Sequence, residues 1–476
     1  MDDSADHPTM RPLCFVLMPF GRKRDANGEP ADFDAVYTEL IRPAVIQAEL
    51  DPIRADEEKV GGVIHDHMFQ RLILCDYAVA DLTTANANVF YELGIRHAVR
   101  PRSTVMVFGE KTPIPFDLGP VRGIPYRLDP EGRPVETARA HAALVAALVE
   151  ARRSAVDSPV FQLIGGMKPP EIGHLEMELF RDRVRHSTGL KDRLARARDE
   201  GVRLLEAAGR RAPTGADPTL ADARGQAAGL VTSVRRELGK LQDEDPGVLV
   251  DLLLAYRDVG AWEEMIALVG ELPEHVRRAL LVREQHALAL NRVGRGEEAE
   301  RVLLDVLAQQ GSSSETCGLL GRVYKDRWEA ASRTASSGAV ARGALRKAIE
   351  MYLKGFEADW RDAYPGVNAV ELMELQEPPD PRREVLLPVV TYSARRRIAT
   401  GNPGYWDWAT LLELAVLASD ESAAAEALEN ALAAKPEPWK RASTAESLRR
   451  IREARARRGR APEWLGELEL ALGAGG

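Results

Sequence analysis

The feature that most narrows the fold is an internal repeat in the second half of the chain. The segment DVGAWEEM, from Asp258, returns as RVGRGEEA from Arg292, 34 residues later. A unit of that length with helical spacing is a helix-turn-helix pair, which cannot bury its apolar face alone and must stack on its neighbours. In the middle copy Ala287, Leu290, Ala299, Leu303 and Val306 fall where the two helices meet. One period further on, Leu320, Gly321 and Tyr324 take the packing positions of a first helix. That third copy is interrupted by ASRTASSGAVARG, about a dozen residues of loop composition, and resumes at Ala344 with Ala348 and Tyr352. A further pair is expected over Trp406 to Ala433, and Trp262, Trp328, Trp360, Trp406, Trp408 and Trp439 are expected to serve as repeat core. From about Leu230 onward no apolar-polar alternation of strand type occurs, so this half is all-α.

The first half reads differently. LCFVLM, from Leu13 to Met18, is a short apolar run closed by Pro19, Phe20 and Gly21, as a buried parallel strand opening into a loop would be. Asp32 to Glu49 then has helical spacing, with Phe33, Val36, Tyr37, Leu40, Ile41 and Val45 on one face. Strands near Pro52 to Arg54, Tyr77 to Asp81, Ser103 to Phe108 and Ile124 to Leu128 alternate with helices over Val63 to Leu74, Val89 to Val99 and Glu136 to Ala151. Such alternation predicts an α/β doubly wound parallel sheet of the flavodoxin or TIR type, with ligands at the carboxyl ends of its strands. The division expected is an α/β domain over 11–155, a helical connector and linker over 156–228, and a helical repeat domain over 229–470. The stretch GRRAPTGADPTLADARGQAAG is read as the flexible linker.

A chain of 476 residues is too long for one core. Its net charge of -9 argues against a nucleic-acid partner, which calls for a cationic surface. Three cysteines, Cys14, Cys75 and Cys317, stand at no metal or redox spacing, and the compartment expected is the reducing cytoplasm. No long uncharged apolar segment suggests a membrane span. His65, His67 and His97 lack a third ligand at matching spacing, so neither a metal site nor any cofactor is expected. Self-association into a homo-oligomer is compatible with these features.

The densest group of polar residues lies in ADLTTANANVFYELGIRHA, from Ala80 to Ala98. Asp81 ends a strand, Asn86 and Asn88 stand at the entry to a helix, and Glu92 lies just inside it, where partial desolvation would tune a carboxylate as a nucleophile. Arg54 and Asp56 follow the second strand, whose loop often meets the ribose or phosphate of a nucleotide.

Tyr91-Glu92-Leu93-Gly94 resembles the signature of the nucleoside deoxyribosyltransferases and deoxynucleoside 5′-monophosphate N-hydrolases. That resemblance implies Glu92 as nucleophile on an anomeric carbon and Asp81 as the acidic strand end. It places Asn86 where relatives carry an Asp or a phosphate-binding Ser, and Met18-Pro19-Phe20-Gly21 along the sugar site. The Asp that relatives carry before the third strand falls, counted without a gap, on Met68, with Asp66 and His65 within one helical turn. The fold also resembles TIR domains, in which a helix Glu cleaves nicotinamide from NAD.

The 34-residue period is that of tetratricopeptide repeats. CFVLMPFG, RADEEKVGG and ADLTTANANVFYELG, with the repeats beyond them, resemble the TRAF-binding, central regulatory region of the apoptosis signal-regulating kinases and its bacterial relatives. These 476 residues carry no kinase motif. Two readings follow. In one, an N-glycosidase-like domain acts on a deoxynucleotide or NAD-type substrate under a helical repeat sensor, as in a bacterial stress or defence effector. In the other, an inactive nucleotide-ligand sensor is joined to a scaffold. A nucleotide-type small molecule in the α/β domain and a protein partner on the repeats are expected in both.

Overall fold

The computed structural model describes residues 11–25, 28–54, 65–112, 123–152, 156–164, 166–170, 174–211, 218–333, 338–400 and 403–473. Contacts gather the chain into two compact units. One runs to Leu190 and takes in Asp245–Val248, and the other comprises Lys191–Glu244 and the chain from Leu249.

The first unit is built on β1 (Leu13–Leu17), β4 (Asp51–Arg54), β5 (Tyr77–Asp81), β6 (Thr104–Gly109), β7 (Gly123–Leu128) and β8 (Pro134–Val135), while β2 (Arg22–Arg24) and β3 (Pro30–Asp32) form a separate hairpin. The sheet order is β4-β1-β5-β6-β7-β8, parallel throughout except for the antiparallel edge β7-β8. β1 therefore lies between the second and third parallel strands of the chain, and the strand order reverses there, the kind of switch point at whose carboxyl ends such sheets bind ligands. Every residue of β1 is buried, as a strand covered on both faces requires. Cys14, Val16, Val79, Val105 and Val107 meet helical residues of Phe33–Gln47 and Thr137–Glu150 on one face. Leu13, Phe15, Leu17, Ala78 and Ala80 meet His65–Leu74, Ala87–Val99, Phe180 and Val184 on the other.

The second unit is helical. Six helix pairs follow one another: Pro246–Asp258 with Trp262–Glu271, Leu280–Arg292 with Gly296–Gln310, Ser314–Ser332 with Gly338–Ala358, Ala363–Leu375 with Arg382–Thr400, Tyr405–Ala418 with Glu421–Ala433, and Pro438–Arg457 with Trp464–Gly473. Ala287, Leu290, Ala299, Leu303, Leu320, Tyr324, Ala348 and Tyr352 share one core, as the repeat spacing predicts. Gly321 is what lets the third pair close, since a Cβ there would stand 2.8 Å from the Tyr352 ring.

Three sequence expectations change. The interruption read over 331–343 is largely helical, because Ser314–Ser332 and Gly338–Ala358 extend into it from both sides. The second part of the expected linker opens the helix Pro218–Arg235, with Pro218 starting it and Ala223, Ala227 and Val231, four residues apart, buried. The division between units accordingly falls within the helix His174–Arg211. The tryptophans are less interior than expected: Trp360 and Trp406 are exposed, and Trp360 stacks on the exposed Tyr392 with ring centroids 6.5 Å apart.

Candidate functional site

Two groups of side chains form at the carboxyl ends of the parallel strands. The first surrounds Arg54, the last residue of β4, which pairs in register with Val16 of β1. Its buried guanidinium donates to Asp34 Oδ1 at 2.7 Å and to the Pro19 carbonyl at 3.3 Å, and lies 4.8 Å from the Phe20 ring centroid and 5.0 Å from that of Tyr37. Planar contact on two aromatic faces holds an arginine that burial alone would disfavour. Gly21 has φ +61°, a conformation natural to glycine, and its N–H donates to Asp34 Oδ1 at 3.3 Å. Tyr37 opens a π-helical turn, Tyr37–Ile41, inside the first helical run, a local widening often found at functional sites. Thus Pro19, Phe20, Gly21 and Arg54 come together around Asp34 and Tyr37, two residues that the sequence reading did not place in the site. Met18 is buried in the core beneath them.

The second group centres on Asp81, at the end of β5. Its Oδ1 accepts from the Thr83 N–H at 3.0 Å and its Oδ2 from the Tyr126 hydroxyl at 2.8 Å. Thr83 Oγ1 in turn lies 2.7 Å from Tyr126 Oη and accepts from the Gly109 N–H at 2.8 Å, so the ends of β5, β6 and β7 are tied together. Burial pushes the Asp81 carboxyl up to about 6, against the opposing pull of Thr83, Tyr126 and the charge of Arg54. Both oxygens of Asp81 are thus engaged by the protein. Tyr126 was missed because β7 alternates only weakly, and a buried tyrosine in a half-exposed strand was its one signal.

Between strand and helix the chain passes through Thr84 at φ 68° and Ala85 at φ 51°, two successive non-glycine residues in the left-handed region. Such strain persists only where the surroundings impose it, and it collects at functional loops. Asn86 then caps the helix Ala87–Val99, its side chain accepting from the Asn88 and Val89 N–H groups at 2.9 and 3.4 Å. Its carbonyl oxygen is therefore used locally. Asn88 is exposed, and Tyr91 is 60% exposed. Glu92 is half-buried in the second turn of the helix.

Asp66 is in the helix His65–Leu74, its side chain outside the described residues, and Asp56 lies outside them altogether. A cleft of about 130 Å³ opens beside Thr83, Thr84, Gly109, Lys111 and Arg127, smaller than the roughly 300 Å³ at which ligand pockets begin.

One turn beyond Glu92, the fully buried Arg96 donates to the carbonyls of Leu72, Cys75 and Asp76 at 2.8, 2.7 and 3.1 Å and to Ser103 Oγ at 3.2 Å. His97 is core: burial and Arg96 hold its imidazole down to about 4, neutral at physiological pH. Among the described residues no group of three or more His, Cys, Asp or Glu could hold a metal ion, and no helix is long and apolar enough to cross a membrane.

These features define a protein with an α/β domain in one unit and stacked helix pairs in the other. The family model for the MAP3K TRAFs-binding domain matches residues 220–466, just over half of the chain, and the chain belongs to that family. It is 27% identical over 221 residues to mitogen-activated protein kinase kinase kinase 15 of Mus musculus, matching 44% of this chain and 16% of that one. Over 232 residues it is 28% identical to the kinase nsy-1 of Caenorhabditis elegans, matching 44% of this chain and 15% of that one. The chain thus corresponds to about a sixth of these relatives' length. Among solved structures, a thermophilic TPR protein of Thermus thermophilus matches 43% of this chain and 99% of its own at 14% identity, with a TM-score of 0.34. A human IFIT1 dimer bound to PPP-AAAA matches 70% and 81% at 14% identity, with a TM-score of 0.33.

Proposed function

We propose that this chain is a regulatory scaffold whose helical repeats bind a partner protein, while its α/β domain holds a nucleotide-type ligand without turning it over. The carrying observation is that the family match at residues 220–466 falls on the stack of helix pairs. The family's description points to a partner of the TRAF kind, and stacked pairs expose a continuous surface suited to one. In the α/β domain, the commitment of both Asp81 oxygens to Thr83 and Tyr126, and of Asn86 to its cap, favours a held ligand over chemistry.

Crosslinking mass spectrometry on the tagged full chain in its own cells tests the scaffold. Links from a partner protein to Lys240, Lys347, Lys354 and Lys435 are expected. Protein links confined to Lys23 and Lys111 of the α/β domain would contradict it.

A second reading, an N-glycosidase of the deoxyribosyltransferase, deoxynucleotide hydrolase or TIR type, is favoured by one arrangement. The strained Thr84–Ala85 turn delivers Tyr91-Glu92-Leu93-Gly94 to the carboxyl end of β5, with Glu92 half-buried. Release of free base or nicotinamide from deoxynucleoside monophosphates, nucleosides or NAD, abolished in Glu92→Gln, would establish it. No release, with a cell lysate present as a source of activator, would leave the non-catalytic reading standing.

A further inference from the structure

The helical unit contains a pocket of about 510 Å³, lined largely by the first helices of successive pairs, and within the range of about 300–1,000 Å³ typical of ligand sites. Its floor is a buried ionic network. Lys325 Nζ donates to Glu371 Oε2 at 2.7 Å and to Asn368 Oδ1 at 3.0 Å. Arg450 donates to Glu371 Oε1 at 3.1 Å and to Glu329 Oε1 at 3.0 Å. Glu371 therefore faces two cations, and its carboxyl is held below the usual range chiefly by Lys325 and Arg450 against the cost of burial.

Glu413 feels the charges of the same Lys325 and Arg450, but full burial and the Glu371 charge stand against them. Ser447 Oγ lies within hydrogen-bond reach of both Glu371 Oε1, at 3.1 Å, and Glu413 Oε1. Ser447 is the donor in both contacts, and its hydrogen bond acts to lower the Glu413 carboxyl. Burial and the neighbouring Glu371 charge outweigh it and push Glu413 up to about 7.

With Glu413 neutral, the lining carries Arg292, Arg322, Lys325, Arg397 and Arg450 against Glu371 and Asp407. Asp407 pairs with Arg397 at 2.9 Å, and behind the lining Asp326 pairs with Arg322 at 2.8 Å while Glu329 meets Arg450. Five cations then face four carboxylates. The cation left over is Arg292, set over the Trp262 ring at 5.9 Å. Tyr364 and Trp406 stand at the rim, 51% and 46% exposed, as flat apolar surfaces beside the guanidinium forks.

We propose that this pocket receives an acidic segment of the partner chain, its carboxylates on Arg292, Arg322 and Arg397 and its apolar parts on Tyr364 and Trp406. The inference rests on the scaffold reading and supplies the chemistry of the partner. An anion in the pocket favours the protonated form of Glu413, so binding is linked to proton uptake and weakens as pH rises through neutrality.

The test is fluorescence anisotropy of the full-length protein with fluorescein-labelled hexa-glutamate, and with hexa-glutamine as the neutral comparison. Hexa-glutamate is expected to bind and hexa-glutamine not. R322Q and R397Q should each weaken binding on the order of fivefold, the effect of one charge about 8 Å away at an effective dielectric constant of about 40. R395Q, an exposed arginine on the same helix as Arg397 and outside the pocket, should leave it unchanged. Moving from pH 6 to pH 8 should weaken binding by a similar factor, and E413Q should flatten that dependence. Equal binding of hexa-glutamine, or insensitivity to both R322Q and R397Q, would overturn the proposal. Equally effective competition by inorganic phosphate at matched ionic strength would also overturn it, in favour of a small anion. Crosslinks on the repeats together with either result would retain the scaffold reading and remove only the acidic segment.

Discussion

Replacing Asp81 by Asn should make the α/β domain more stable at neutral pH. Wild-type Asp81 is wholly buried and titrates at about 6 rather than at the ordinary 3.8, a balance that already includes its hydrogen bonds from Thr83 and Tyr126. The folded chain therefore keeps a proton that the unfolded chain has lost, and stability falls as pH climbs from about 3.8 through about 6. At about 1.4 kcal/mol per unit the full cost is about 3 kcal/mol above pH 7, and about half of that at pH 5. Asn escapes this cost while keeping the geometry: its oxygen accepts from the Thr83 N–H, and its amide donates to Tyr126 Oη, whose own hydrogen turns to Thr83 Oγ1. All seven tryptophans lie at or beyond Trp262, so fluorescence does not see this unit. Amide hydrogen exchange of residues 77–83, followed by mass spectrometry on both full-length chains at the same pH, does. The variant should gain up to about 3 kcal/mol of protection at pH 7.5 and roughly half as much at pH 5. A wild-type chain better protected at pH 7.5, or a difference that does not vary with pH, would refute the reasoning and make the ionised Asp81 a net stabiliser.

Arg96→Met should cost about 3 kcal/mol by stranding the buried carbonyls of Leu72 and Cys75, read as lost exchange protection across His65–Leu74. Gly321→Ala should destabilise the helical unit by about 1–3 kcal/mol, because the new methyl meets the Tyr352 ring, and tryptophan fluorescence during thermal unfolding reports it. Ser313→Ala removes the acceptor for the Thr316 N–H at the start of Ser314–Ser332 and should cost about 1 kcal/mol in the same assay.

Much of the fold was legible because buried parallel strands are short apolar runs and helix pairs repeat at a fixed period. β1 and β5 begin where their apolar runs begin, and Asp258 to Met265 sets the frame that places Leu320, Gly321 and Tyr324. What misled was small residues. The Ala223, Ala227 and Val231 stripe looks like linker, yet close helix packing selects side chains of that size, and the Ala- and Gly-rich residues 338–343 continue a helix although only Ala341 among them is buried. At the site, the positions of Asp81 and Glu92 in the strand-loop-helix could be read, but not the partner of Asp81. Tyr126 is 45 residues away in sequence, and only the order β5-β6-β7 brings it near. Arg54 was read as a ligand contact from its place after the second strand, but its enclosure by Phe20 and Tyr37 arises from three separate elements.

The position of Arg96 has a mechanical consequence for the carboxyl ends of β1 and β5. It stands four residues after Glu92 on the same rigid rod and is clamped to the end of His65–Leu74 and to the segment leading into β5. Sliding that rod along its axis would shear these donations together, so the base of the helix behaves as an anchored pivot. A ligand held at those strand ends as proposed would make itself felt through the other end, where Thr84 and Ala85 are the cocked joint.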